Sequence, residues 1–289
     1  MQIIINGIIT GLTLALLTLG FVMVYLPTRI FYVALGGIYA LAPFIAWGCV
    51  RQGLPWYLGT LAALLAGVLV SLACEKLNHA PLEQNRASSG AHLVSSLGIY
   101  IIVVQAITLI WGNDVKTLRT GLDSAISIGA VIITQAQAIA AVVSIAALVI
   151  FYGWLQWSQL GLQFRALADN PKEFALRGYN VRRLRSIAFG ISGGLGALSS
   201  LLVNYEVGFT PEGGLAALLL AVVAMIIGGQ QSFYGAVLGG ILVGVLRSEV
   251  VWVLSARWQE AVTFLLLVVF LFVRPNGILG QKSRLEAED

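Results

Sequence analysis

Three sets of residues in this 289-residue chain carry atoms suited to chemistry. Gly190-Ile191-Ser192-Gly193-Gly194 fits the G-x-S-x-G spelling of a hydrolase elbow, which needs a strand-to-helix turn and a histidine partner. It lies instead inside a long apolar run, where small residues let helices approach closely. His79 and His92, with Glu75 and Glu83, are residue types that bind metals, but the histidines are thirteen positions apart with no tight helical or cysteine-bearing spacing. They read as solvated loop residues. Cys49 and Cys74 fall at opposite ends of different apolar segments and read as two small buried thiols that do not pair. No glycine-lysine pair occurs, which excludes the nucleotide loop G-x-x-x-x-G-K-[ST]. The sequence therefore points to no covalent chemistry and calls for no cofactor and no metal.

The elements that hold these residues follow from composition. Hydrophobic residues make up 58% of the chain and charged ones 10%, with a mean hydropathy of +0.90. A soluble domain usually has about 25% charged residues. Apolar runs of about 20 residues, enough to cross a bilayer core, recur along the whole length. Lipid offers the backbone no hydrogen-bond partners, so such runs must be helices. The expected fold is an all-α, polytopic membrane bundle forming a single domain over 1–289. Hydropathy places segments at 2–24, 30–50, 55–75, 91–111, 134–157, 186–204, 215–229, 233–254 and 258–274, with Pro27, Pro55 and Pro81 marking turns. The opening MQIIINGIITGLTLALLTLG lacks a basic start and a small-residue cleavage site, and reads as a retained first helix. Segments 215–229 and 233–246 are short for full crossings, so eight or nine membrane helices are expected. The Gly-rich pair at 215–246 is either two spans or a re-entrant, broken pair beside a pathway.

Six of the seventeen cations fall within RALADNPKEFALRGYNVRRLR, Arg165 to Arg185. By the positive-inside bias this stretch, the 158–185 loop and the 275–289 tail are cytoplasmic, and alternation puts the N-terminus outside. Twelve cations then lie inside, including Arg29, Lys76 and Arg86, and five outside, including Arg51, Lys116 and Arg119. The helix-end clustering accounts for the net charge of +4 without nucleic acid. Within the stretch, Asp169-Asn170 supplies N-cap chemistry, Pro171 a first helical residue and Gly178 a stop, so about two turns of helix are enclosed. A helix that short needs a docking surface.

The run ALADNPKEFALRGYNVRRLRSIAFGISGGLGALSSLL resembles the cytoplasmic coupling loop and following helix of permease subunits of branched-chain amino acid ABC importers, a family that includes urea and amide permeases. FTPEGGLAALLLAVVAMIIGG, FYGAVLGGILVGVL and FLLLVVFLFVRPNGILG resemble its C-terminal blocks. The resemblance implies an inner-membrane subunit partnered by a second, related permease chain, two cytoplasmic ATPases and an extracytoplasmic solute-binding protein. It assigns ATPase docking to Arg165, Asp169, Pro171, Glu173, Ala175 and Gly178, and pathway positions to Tyr32, Gly36, Gly37, Pro211 and Gly213. Family members carry an Asn-Phe-Ala-His-Gly-like block where this chain has Tyr32-Val33-Ala34-Leu35-Gly36, which leaves the solute open among branched-chain amino acids, urea and short amides.

Gly190 with Gly194, Gly235 with Gly239 and Gly240 with Gly244 repeat the small-xxx-small spacing of tight helix packing, within the chain or against a second permease. Glu206, Glu212, Glu249 and Glu260, with Trp252 and Trp258, read as interfacial anchors or contacts for a binding protein. The alternative function is an ion-coupled secondary transporter or channel. Such carriers hold an ionisable group near the midplane, whereas here only Arg247 and Glu249 come close, and both lie toward one end.

Overall fold

The computed structural model describes residues 1–118, 125–128, 131–169, 171–274 and 276–279. Arg119, Asn170, Lys282 and Arg284 lie outside the described residues. The helices are α1 (Gln2–Thr28), α2 (Ala34–Arg51), α3 (Trp56–Ala73), α4 (Ala80–Gln84), α5 (Ser89–Trp111), α6 (Gln135–Trp157), α7 (Gln159–Asp169), α8 (Pro171–Leu176), α9 (Val181–Val207), α10 (Gly213–Gly228), α11 (Phe233–Val253) and α12 (Gln259–Val273). A π-helical turn, Cys74–His79, joins α3 to α4, so the chain stays helical from Trp56 to Gln84. Pro81 thus sits inside continuing helix, where the sequence reading expects a turn. Among the described residues, eight helices are long and apolar enough to cross a membrane, and α10 is a further, shorter apolar helix. One small departure from the all-helical expectation is an antiparallel hairpin, β1 (Ala125–Ile128) with β2 (Val131–Thr134). The side chain of Gln2 clamps this hairpin, accepting from the Ile132 amide at 2.8 Å and donating to its carbonyl at 2.6 Å.

Helix α1 is apolar on every side and accordingly is the central column of the bundle. Glycines set its closest contacts. A Cβ on Gly244 would come within 2.3 Å of the Gly11 Cα, and one on Gly240 within 2.6 Å of the Ala15 Cα, so α11 lies backbone to backbone on α1. On the other side, Ser199 Oγ of α9 donates to the Thr13 carbonyl at 2.7 Å.

These contacts define two faces. One carries the start of α1, the ends of α2, α9 and α11, and the hairpin. The other, the loop face, carries the end of α1, the π turn, α7, α8 and the start of α9 and α11. Helix α10 begins beside Gly36 and Ala40 of α2, about eleven residues, or roughly 16 Å, short of the end of α2. It ends on the loop face, where Gly228 packs on Gly235 and its carbonyl accepts from Leu279 at 3.0 Å. The chain leaving α9 at Val207 therefore crosses to the opposite face. The first part of that crossing is the non-helical segment 208–212.

A second break precedes α2. Segment 30–50 reads as one helix by hydropathy, yet α2 starts only at Ala34. Arg29 adopts φ 54, and residues 30–33 run through the protein with Ile30, Tyr32 and Val33 buried. Side chains satisfy this backbone: Thr28 Oγ1 accepts from the Ile30 amide and Ser96 Oγ from the Ala34 amide. Irregular backbone at such depth persists only where protein encloses it.

Candidate functional site

The loop face is built from the end of α6 onward. Helix α7, absent from the sequence expectation, is amphipathic and buries Phe164 and Leu167, with the Phe164 ring 5.6 Å from Trp154. Arg165 and Asp169 are on its exposed side. Helix α8 then starts at Pro171 and stops before Gly178, whose φ of 80 requires a residue without a Cβ. Among its described side chains Phe174 is the buried one, 4% exposed and stacked on Tyr179 with centroids 4.8 Å apart. Its other side faces outward: Glu173 and Arg177 are exposed, and Leu176 is 87% exposed. The side chains of Pro171 and Ala175 lie outside the described residues. Asn180 restarts the chain, its Oδ1 accepting from the Arg183 amide at 3.1 Å as the cap of α9.

The loop face also holds a polar cluster that corrects the sequence reading. Glu75, His79 and His92 are buried, not solvated, and only Glu83 is well exposed. The small residues of α3 that face the core recur every four positions, Gly59, Ala63, Gly67 and Ser71. At 3.6 residues per turn such a ladder drifts by about 40° per step. The wider π turn takes back part of that drift and keeps Glu75 and His79 on the buried side. There Arg185, from the second turn of α9, makes a two-pronged contact with Glu75, Nε to Oε1 at 3.0 Å and Nη2 to Oε2 at 3.3 Å. Its Nη1 reaches Glu83 at 2.7 Å. The Nδ1 atoms of His79 and His92 face each other at 3.2 Å, a spacing that one proton can bridge. Ser71 Oγ donates to the Phe189 carbonyl at 2.6 Å, and Tyr32 Oη lies 3.0 Å from Ser71. The cluster thus ties four elements together: the segment before α2, the α3–α4 connection, α5 and α9. The ladder from Gly59 to Ser71, extended by four to Glu75 and His79, is the sequence signal that marks them as inward-facing.

The opposite face holds a cavity of about 180 Å³ where α10 begins, lined by Tyr39, Pro43, Asn204, Thr210, Gly213 and Ala217 among others. Of the five pathway positions, only Gly213 lines it. Pro211 is buried nearby, Tyr32 is in the cluster just described, Gly36 packs on Gly214, and Gly37 packs on Val103. Among the packing glycines, Gly235 and Gly239 lie against α10, and Gly240 and Gly244 against α1. Gly190 and Gly194 make only ordinary contacts, and the close approaches of α9 belong to Gly193 and Gly196. Glu206 is no free anchor: its Oε1 accepts from Thr134 and Gln137 at the cap of α6. Cys49 and Cys74 are free thiols.

Residues 3–271 match the family model for the branched-chain amino acid transport system permease component. The chain is 30% identical to the high-affinity branched-chain amino acid transport system permease protein BraD of Pseudomonas aeruginosa, over 97% of this chain and 96% of that one. It is 26% identical to the LivH permease of Salmonella typhimurium, with the same shares covered. The probable LivH permease of Methanocaldococcus jannaschii is 23% identical, over 95% of this chain and 91% of its own. Among solved structures, a chain of PsaBC from Streptococcus pneumoniae, in complex with Fab, has a similar fold, with a TM-score of 0.53 at 13% identity over 100% of this chain and 94% of that one. The helices, their small-residue packing and the match over nearly the whole length agree, and the chain belongs to the family of branched-chain amino acid transport system permease components.

Proposed function

We propose that this chain is the membrane-spanning permease of an ABC importer for branched-chain or related amino acids, driven by ATP hydrolysis in separate subunits. The loop face is cytoplasmic and the N-terminus external, as the excess of basic residues on the loop face favours. Two ATPase chains dock there, a related second permease completes the pathway, and a solute-binding protein delivers substrate to the opposite face of the inner membrane. The observation that carries this reading is α8. In this six-residue helix Phe174 is buried while Glu173 and Leu176 are exposed, Leu176 at 87%, so its outward surface suits a covering protein. Glu173 and Arg177 flank that tip with charge of both signs. The 180 Å³ cavity at the start of α10 is the candidate entry point for solute, because a helix begins there partway through the bundle with its N-terminal amides toward the opening.

The test is site-directed cross-linking in the assembled complex. Cysteines at 173 and 176 are expected to link to an ATPase chain, and ATP is expected to drive uptake of branched-chain amino acids into proteoliposomes. Links that reach only lipid or the binding protein, or uptake abolished by ionophores and indifferent to ATP, overturn the proposal. Uptake of urea or short amides in place of amino acids would overturn the solute assignment alone.

A further inference from the structure

An open groove of about 570 Å³ runs between α3 and α9, with Val68 and Leu72 on one wall and Ile187, Gly190, Ile191 and Gly194 on the other. It exists because Gly190 and Gly194 leave out their side chains toward Val68 and Leu72 of α3 while Gly193, beside them, presses onto the Gly67 carbonyl of the same helix. The lining runs from Ser186 to Leu195, nine helical steps or about 14 Å, which matches half of a hydrocarbon core of about 30 Å. A groove of that length near the loop face fits the depth of the loop-side leaflet.

The charges at its mouth are sorted. Lys76, in the π turn, lies four residues beyond Leu72 of α3, and Arg182 and Arg183 lie one turn before Ser186 and Ile187 on α9, on the faces that line the groove. All three are exposed, and none has an ion-pair partner among the described residues. Arg185 and Glu75, beside them in sequence, turn inward and neutralise each other. The positive end of the α9 dipole falls at the same place. We propose that this groove is a binding site for one anionic phospholipid of the loop-side leaflet, with an acyl chain over Gly190 and Gly194 and the phosphate held by Lys76, Arg182 and Arg183. An apolar helix from a second permease is the rival occupant, but it offers no counter-charge for three unpaired cations at the headgroup level.

Native mass spectrometry of the full chain, exchanged into micelles with equal phosphatidylglycerol and phosphatidylcholine, tests this. The expected result is one retained phosphatidylglycerol with about ten-fold preference over phosphatidylcholine, the scale of one or two basic contacts at a membrane surface. The variant K76Q/R182Q/R183Q, altered only at exposed positions, loses the preference. The variant G190L/G194L, which fills the groove, loses the retained lipid while keeping the cations. Equal retention of both lipids by the unaltered chain overturns the site, as does a preference that survives either variant. Cross-linking of Leu72→Cys or Ile187→Cys to a second permease chain in the assembled complex also overturns it, by giving the groove to protein.

Discussion

Replacing Arg185 by alanine strikes the ion pair that joins α9 to the π turn after α3. The partner carboxylate, Glu75, is 2% exposed and Arg185 6% exposed, and two nitrogens of one guanidinium meet both oxygens of one carboxylate. Arg185→Ala leaves that carboxylate buried without a counter-charge, and breaking a buried pair from one side costs about 3–5 kcal/mol. The lost contact with Glu83 adds little, because Glu83 is 60% exposed and pairs of that kind contribute about 0–1 kcal/mol. Glu75→Gln is milder, about 1–3 kcal/mol, since the amide oxygen still accepts and Arg185 keeps Glu83. Replacing both, Arg185→Met with Glu75→Met, removes the orphaned charge as well as the pair, and is expected to lie within about 1 kcal/mol of the unaltered protein. The assay is reversible unfolding of the purified chain in mixed micelles, with all variants on one denaturant scale. If Arg185→Ala loses less than about 1 kcal/mol, or the double replacement costs as much as the sum of Arg185→Met and Glu75→Met measured singly, the pair is not the buried, mutually dependent unit described here.

Gly239→Ala puts a methyl 1.9 Å from the Ala224 carbonyl oxygen and forces α10 and α11 apart, with an expected loss of about 1–3 kcal/mol or more, whereas Gly98→Ala, with nothing within 4 Å, is neutral or slightly stabilising in the same unfolding assay. Tyr32→Phe removes the hydroxyl that lies against Ser71 and costs about 1 kcal/mol by the same measurement. Leu176→Asp leaves unfolding unchanged, because the side chain is exposed, but abolishes ATP-driven uptake by the assembled complex. Ala217→Phe fills the cavity at the start of α10 and lowers uptake while the ATPase chains still copurify; unchanged uptake would remove that cavity from the pathway.

Much of this architecture is legible in the sequence, for definite reasons. Continuous apolar runs longer than a bilayer is thick admit one backbone solution, so the membrane helices follow from hydropathy. The two-turn helix is equally readable, because Pro171 and Gly178 act through local backbone geometry and need no tertiary context. The breaks are less so. Ile30 to Val33 are as apolar as the helix that follows, and the side chain that meets the start of that helix, Ser96 on the Ala34 amide, comes from sixty-two residues away. Helix α7 escapes notice because its sequence is balanced in polarity and only its phase, with Phe164 and Leu167 inward, reveals it.

The cations of α9 show where such limits come from. Arg182, Arg183 and Arg185 are near neighbours of one charge, and a count of basic residues treats them alike. Helical phase separates them. Arg185 precedes Phe189 by four and Ser192 by seven, the residues that face the core, and so must find an anion inside; Glu75 is the one the π turn delivers. Arg182 and Arg183 precede Ser186 and Ile187, which face the groove, and remain outside. The same two-residue step that makes one arginine a structural strut leaves its neighbours free for the membrane surface. Moving the charge by one position, from 185 to 186, is therefore expected to lose the strut and crowd the groove mouth at once, although the sequence would keep the same composition and the same count of charges inside.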